Sequence, residues 1–252
     1  MALFESGNPT LSEKMFDKAG HAQANATGTM SVRGTMNKFG LMLIGVIAGA
    51  GYTWHLIDQN NPSLAQTLMI VGVIGGLITA LAITFKPNWA PALAPAYAIL
   101  EGLFLGAISK VFNDAFYPGI VVQAVGLTFG VAVAMFLLYN FRIIKPTEKF
   151  RSMIMSAMLG IAIFYLLTWI LSLFSVDVSF VRDNSMLSIG ISLFIVAIAA
   201  LNLILDFDMI EQGAQRGAPQ FMEWYAAFGL MVTIVWLYLE ILRLLSKLSS
   251  RD

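Results

Sequence analysis

The stretch Leu64-Ala-Gln-Thr-Leu-Met-Ile-Val-Gly-Val-Ile-Gly-Gly-Leu-Ile-Thr-Ala-Leu-Ala-Ile-Thr-Phe85 contains no Asp, Glu, Lys or Arg. It is about as long as one helix needs to be to cross a hydrocarbon core of about 30 Å. Similar runs lie on both sides of it: Phe39 to Ile57, Trp89 to Ile108, Tyr117 to Tyr139, Met153 to Phe174, Met186 to Leu205, and Met222 to Leu242. Between them stand short breaks carrying helix-stopping residues, such as Asp58-Gln-Asn-Asn-Pro62 and Lys86-Pro-Asn88. The hydropathy pattern therefore predicts an all-α integral membrane protein, a bundle of seven transmembrane helices over residues 39–252.

Composition agrees. The 252 residues are 58% hydrophobic and 12% charged, against about 25% charged in a soluble domain. Residues 1–38 differ, being rich in Gly, Ala, Ser, Thr and Asn with scattered charges, and read as a mobile N-terminal tail. Leu11 to Phe16 has the makings of a short amphipathic helix lying on the bilayer. The tail precedes the first apolar run by too much for a cleaved signal peptide.

Lys and Arg crowd one side of the membrane. Lys14, Lys18, Arg33, Lys38, Lys86, Arg142, Lys145, Lys149, Arg151 and Arg216 lie before the first span or in even-numbered turns; Lys110, Arg182, Arg243, Lys247 and Arg251 lie opposite. Positive loops stay in the cytoplasm, which puts the tail there and the C-terminus outside.

Several functions are disfavoured. Net charge is zero without a basic block, so no nucleic-acid partner is expected. There is no cysteine, and the two histidines, His21 and His55, are too few for a zinc hydrolase. The last span, Met222 to Leu242, contains no Lys for a Schiff base, and no candidate base accompanies a serine. An enzyme is not expected, nor a cofactor or resident metal.

Polar residues in the spans are the candidates for function, because a charge at mid-membrane costs at least about 2.5–3.5 kcal/mol. Glu101 lies about 18 Å along the third span, too deep to reach the interface. It is either part of an ion pathway or a neutral acid hydrogen-bonded between helices. Asp206 and Asp208 close the sixth span and, at i,i+2, point about 200° apart. Asp206 is expected to face inward with Lys86 as a counter-charge, while Asp208 and Glu211 read as interfacial caps. Glu240 and Arg243 share one face of the last span and read as a local ion pair. Glycine pairs at i,i+4 recur at Gly45/Gly49, Gly72/Gly76, Gly102/Gly106 and Gly126/Gly130; all four read as packing contacts within the chain.

Three motifs resemble one family. Ala96-Tyr-Ala-Ile-Leu-Glu-Gly-Leu-Phe-Leu-Gly-Ala-Ile-Ser109, the segment around Asp206, and Leu237-Tyr-Leu-Glu-Ile-Leu-Arg-Leu-Leu245 are similar to the third, sixth and closing helices of the Bax inhibitor-one, or transmembrane Bax inhibitor motif, family. The opening Val32-Arg-Gly-Thr-Met-Asn-Lys-Phe-Gly-Leu41 and the layout resemble its bacterial YccA-like branch. The resemblance implies a bundle with the last helix central and a pH-sensitive calcium leak in a bacterial inner membrane. Two aspartates that share a proton in the closed state would gate it. Asp206 matches the first. Counting back from Arg243, the second falls at Thr233, which cannot titrate. Either the paired sensor is lost, or Glu101 supplies the second acid. The resemblance also implies an alternative, a regulator of a membrane-bound ATP-dependent protease that acts through the tail.

Overall fold

The computed structural model describes residues 28–174 and 183–250. Among the described residues seven helices are long and apolar enough to cross a membrane. They are α1 (Val32–Asp58), α2 (Pro62–Phe85), α3 (Ala90–Ala115), α4 (Ile120–Asn140), α5 (Glu148–Leu173), α6 (Met186–Gln215) and α7 (Met222–Ser249). A 3-10 turn, Pro87–Trp89, leads into α3, and α3 runs on through Pro95. Large apolar side chains such as Ile44, Leu77, Val122, Leu159 and Leu166 are exposed along the helices. Such surfaces would aggregate in water and suit a lipid surround.

The described residues form two compact units. One holds residues 28–115 with Asp208–Val232; the other holds Phe116–Phe207 with residues 233–250. Helices α6 and α7 contribute to both. The last helix is the most enclosed: 67% of its most apolar stretch is buried, against 11% for α5.

In the first unit α3 packs against α1 and α2 at backbone distance. A methyl group on Gly49 would lie 2.6 Å from the Ile99 carbonyl oxygen, and one on Gly72 would lie 2.5 Å from that of Leu100. Methyl groups on Gly102 and Gly106 would strike the Val46 and Ala50 carbonyl oxygens. Only glycine admits such an approach, which is how helices associate where water no longer drives them together. The same unit contains the interlocked end of α1 and α3, where Lys110 bonds Asp58 at 3.0 Å and Asp114 at 2.8 Å.

The fourth pair behaves differently. A methyl group on Gly126 or Gly130 would have no neighbour within 4 Å among the described residues. Packing within the chain therefore accounts for three of the glycine pairs and not for the pair on α4, whose glycines face open space. In the second unit an apolar cluster packs Ile154 and Ile161 of α5 on Ile195, Ile198 and Leu205 of α6 and on Trp236 of α7.

Helix ends differ from the hydropathy boundaries. α1 starts at Val32 rather than Phe39, inside what reads as tail. Thr29 pairs with Pro219, the Met30 N–H donates to the Ala218 carbonyl at 2.7 Å, and the Ser31 hydroxyl caps α1 by accepting from the Gly34 N–H. The Ser31 N–H and hydroxyl donate to buried Glu223, at the start of α7, which also pairs with Lys38. These charges belong to a pinned helix start, so the mobile-tail reading fails for residues 28–38. Residues 1–27, with the Leu11–Phe16 segment, and Arg182 and Arg251 of the charge count lie outside the described residues.

Glu223→Ala is expected to cost about 2–3 kcal/mol, the scale of lost charge-assisted hydrogen bonds. Thermal unfolding in detergent should show a lower midpoint, and Ser31→Ala a smaller drop through the lost cap. An unchanged midpoint for Glu223→Ala would mean that the anchor contributes nothing.

Candidate functional site

The polar interior of the second unit is built on α6 and α7. Asp206 is fully buried, and Asn202 and Thr233 are nearly so. Asn202 lies one turn before Asp206 on the same face of α6. Its amide Nδ2 donates to Thr233 Oγ1 on α7 at 3.2 Å and lies 3.5 Å from Asp206 Oδ2, at the edge of hydrogen bonding. Asp206 and Thr233, the two positions singled out by the family motif, are therefore brought together through an amide. Asn202 Oδ1 is buried without a hydrogen-bond partner among the described residues. A buried, half-satisfied amide can rotate to present either a donor or an acceptor to the acid.

Asp208 does not sit at an exposed interface. It is buried and accepts from Gln212 Nε2 at 2.7 Å. The reason is that α6 continues past Leu205 to Gln215, so both aspartates lie inside the helix and not at its end. Glu211 is half-buried and accepts from Gln215 Nε2 at 3.1 Å.

Glu101 belongs to the first unit, on α3. It is half-buried and hydrogen-bonds the buried Tyr97, whose ring meets Phe228 edge-on at 4.9 Å. A methyl on Gly76 would come within 3.3 Å of its carboxylate, so the α2 glycine leaves the space the acid occupies. Lys86 is exposed, with its ammonium 4.4 Å from the Trp89 ring centroid.

The pair on the last helix is more than a local ion pair. Arg243 Nη1 donates to both Glu240 oxygens, at 2.8 and 2.9 Å, and to the Tyr165 hydroxyl at 2.6 Å. Tyr165 in turn donates to Glu240 at 2.8 Å. One turn on, the buried Lys247 ammonium donates to the Ser188 and Ser192 hydroxyls at 2.7 and 2.8 Å.

Asn202, Tyr165, Ser188 and Ser192 carry no charge, and charge is what marks a candidate in an apolar span. Their signal in sequence is position alone. Asn202 stands four residues before Asp206, and Ser188 and Ser192 are themselves one turn apart.

Seven apolar helices with lipid-facing flanks and carboxylates held inside define a polytopic α-helical membrane protein. The profile of the family described as Bax inhibitor 1 like matches residues 8–250, and the chain belongs to that family. No curated protein matches it. Among the described residues no group of three or more His, Cys, Asp or Glu could hold a metal ion.

Proposed function

We propose that the protein conducts cations, calcium among them, through a pH-sensitive leak rather than catalysing a reaction. We place it in a bacterial inner membrane, with its N-terminus in the cytoplasm. The observation that carries this reading is the fully buried Asp206, held with Asn202 between α6 and Thr233 of α7. An acid that is expensive to keep in a membrane interior is seldom idle.

Protonated, Asp206 is a neutral group that lets the last two helices close on each other. Once it loses its proton, a bare carboxylate between apolar helices favours water entry and separation. Carboxylate and carbonyl oxygens along the opened path are the ligands calcium prefers. Asn202 suits both states, because its amide can donate to the carboxylate or accept from the acid. Glu101, on α3 in the other unit, is a separate candidate acid for the pathway.

Purified protein in liposomes loaded with a calcium dye tests this. Influx should rise with pH as the buried carboxyl gives up its proton, and protein-free liposomes should show no such rise. Flux equal to that of empty liposomes at every pH would overturn the reading. Deleting residues 1–27 should leave that flux intact. If the deletion changed only the activity of a membrane-bound ATP-dependent protease, the regulatory role would take precedence.

A further inference from the structure

Near the C-terminal end of α7, in the second unit, a cavity of about 360 Å³ is lined by Tyr165, Thr168 and Trp169 of α5, Ser192 of α6, and Arg243 and Lys247 of α7, among others. Two cations line it and, among the described residues, no carboxylate does. Glu240, the acid nearest Arg243, is outside the lining and is already bound. Asp183, which interacts electrostatically with Lys247, is likewise outside it and bonds Ser185.

Arg243 uses its guanidinium unevenly. Nη1 holds Glu240 and Tyr165, whereas Nε and Nη2 have no protein acceptor among the described residues. Those two nitrogens form a planar fork of donors, the geometry that matches a carboxylate or phosphate with two parallel hydrogen bonds. The clamp by Glu240 and Tyr165 fixes the plane of that fork in advance, so little side-chain entropy is lost when an anion docks. Lys247 adds a second positive charge, fixed by Ser188 and Ser192.

The cavity also has an apolar side. Trp169, well exposed on the helix surface, and Phe164 border it. Arg243 lies about 32 Å along α7 from Met222 by helical rise, which is the depth of a headgroup region. A tryptophan at that depth sits among headgroups.

We propose that this cavity binds a phosphate group through the free edge of Arg243, with Lys247 supporting the charge. The phosphate belongs either to a phospholipid headgroup entering past Trp169 or to a soluble phosphate from the aqueous side. The site stands apart from Asp206 and does not depend on the protein conducting ions.

Native mass spectrometry of the full-length protein in detergent tests this. The probes are dioctanoyl phosphatidylglycerol and dioctanoylglycerol, which differ by the phosphate-bearing headgroup. The phosphatidylglycerol should be retained about tenfold better than the phosphate-free diglyceride. Arg243→Lys keeps the pair with Glu240 but removes the planar fork, and should lose that preference. Thr168→Phe fills the cavity without touching the ionic cluster, and should lose it as well. Inorganic phosphate in millimolar excess separates the sources: retention that it abolishes assigns the site to soluble phosphate, and retention that survives it assigns the site to the lipid. Equal retention of the two probes, or an undiminished preference in both variants, would overturn the proposal.

Discussion

Gly102→Leu and Gly106→Leu are expected to prevent stable folding, with the protein lost to aggregates in detergent size-exclusion chromatography. At both positions a first side-chain carbon would meet a main-chain oxygen of α1, Val46 for Gly102 and Ala50 for Gly106. A backbone cannot rotate aside as a flexible side chain can, so α1 and α3 would have to separate along their length. Overpacking of even a few methylenes costs about 1–3 kcal/mol where side chains can adjust, and here the obstruction is main chain. Gly102→Ala should already lower the thermal midpoint, since alanine brings the same first carbon.

The contrasting test is on α4. Gly126→Ala and Gly130→Ala meet open space and exchange a poor helix former for the best one, a gain of up to about 1 kcal/mol per residue in an aqueous helix. Their midpoints should hold or rise. A collapse equal to that of the α3 variants would mean that α4 is covered by something beyond this chain's own helices.

The second large effect concerns Asp206. Asp206→Asn is close to isosteric and permanently neutral, so under the proposed leak calcium flux should stay at its low-pH level and lose its pH dependence. Asp208→Asn reports on a different environment, because that carboxylate is already bonded to Gln212; it should lower stability more than it alters the pH profile. Equal flattening by both substitutions would mean that neither aspartate is the specific sensor.

Thr233→Asp places a second acid beside Asn202 and Asp206. Two close carboxyls cannot both ionise, so the pair should hold one proton to higher pH and move the flux midpoint upward by about one unit or more. Glu101 can be tested in the same assay. If it shares a proton with Asp206, Glu101→Gln and Asp206→Asn will act non-additively on the profile, because each releases the other. Additive effects would assign Glu101 to its hydrogen bond with Tyr97 alone.

The number of helices, their order and their lipid-facing character are legible residue by residue. Each segment partitions into a bilayer according to its own side chains, and that free energy is nearly a local sum. Asp206 and Glu101 stand out for the same reason, since a charge in such a run is costly whatever surrounds it. Thr233 has no such signal and is reached only by matching the family's closing helix.

Contacts between segments carry no such local signature. The four glycine pairs are equivalent as sequence, yet three lie against another helix and one does not, because which face meets a neighbour depends on how the helices are arranged. The hydropathy boundary at Leu205 stops at the first charges, but the helix continues over Asp206 and Asp208 because neighbouring side chains cover and bond them. Thr29 and Ser31 read as tail until Pro219 and Glu223, nearly two hundred residues later in the chain, supply their partners. Asn202, uncharged and inconspicuous within its span, becomes the link between Asp206 and Thr233 once α6 and α7 are side by side. Lipid solubility is a property of one helix, whereas burial, capping and polar pairing are properties of two or more, and they exist only after the chain has brought them together.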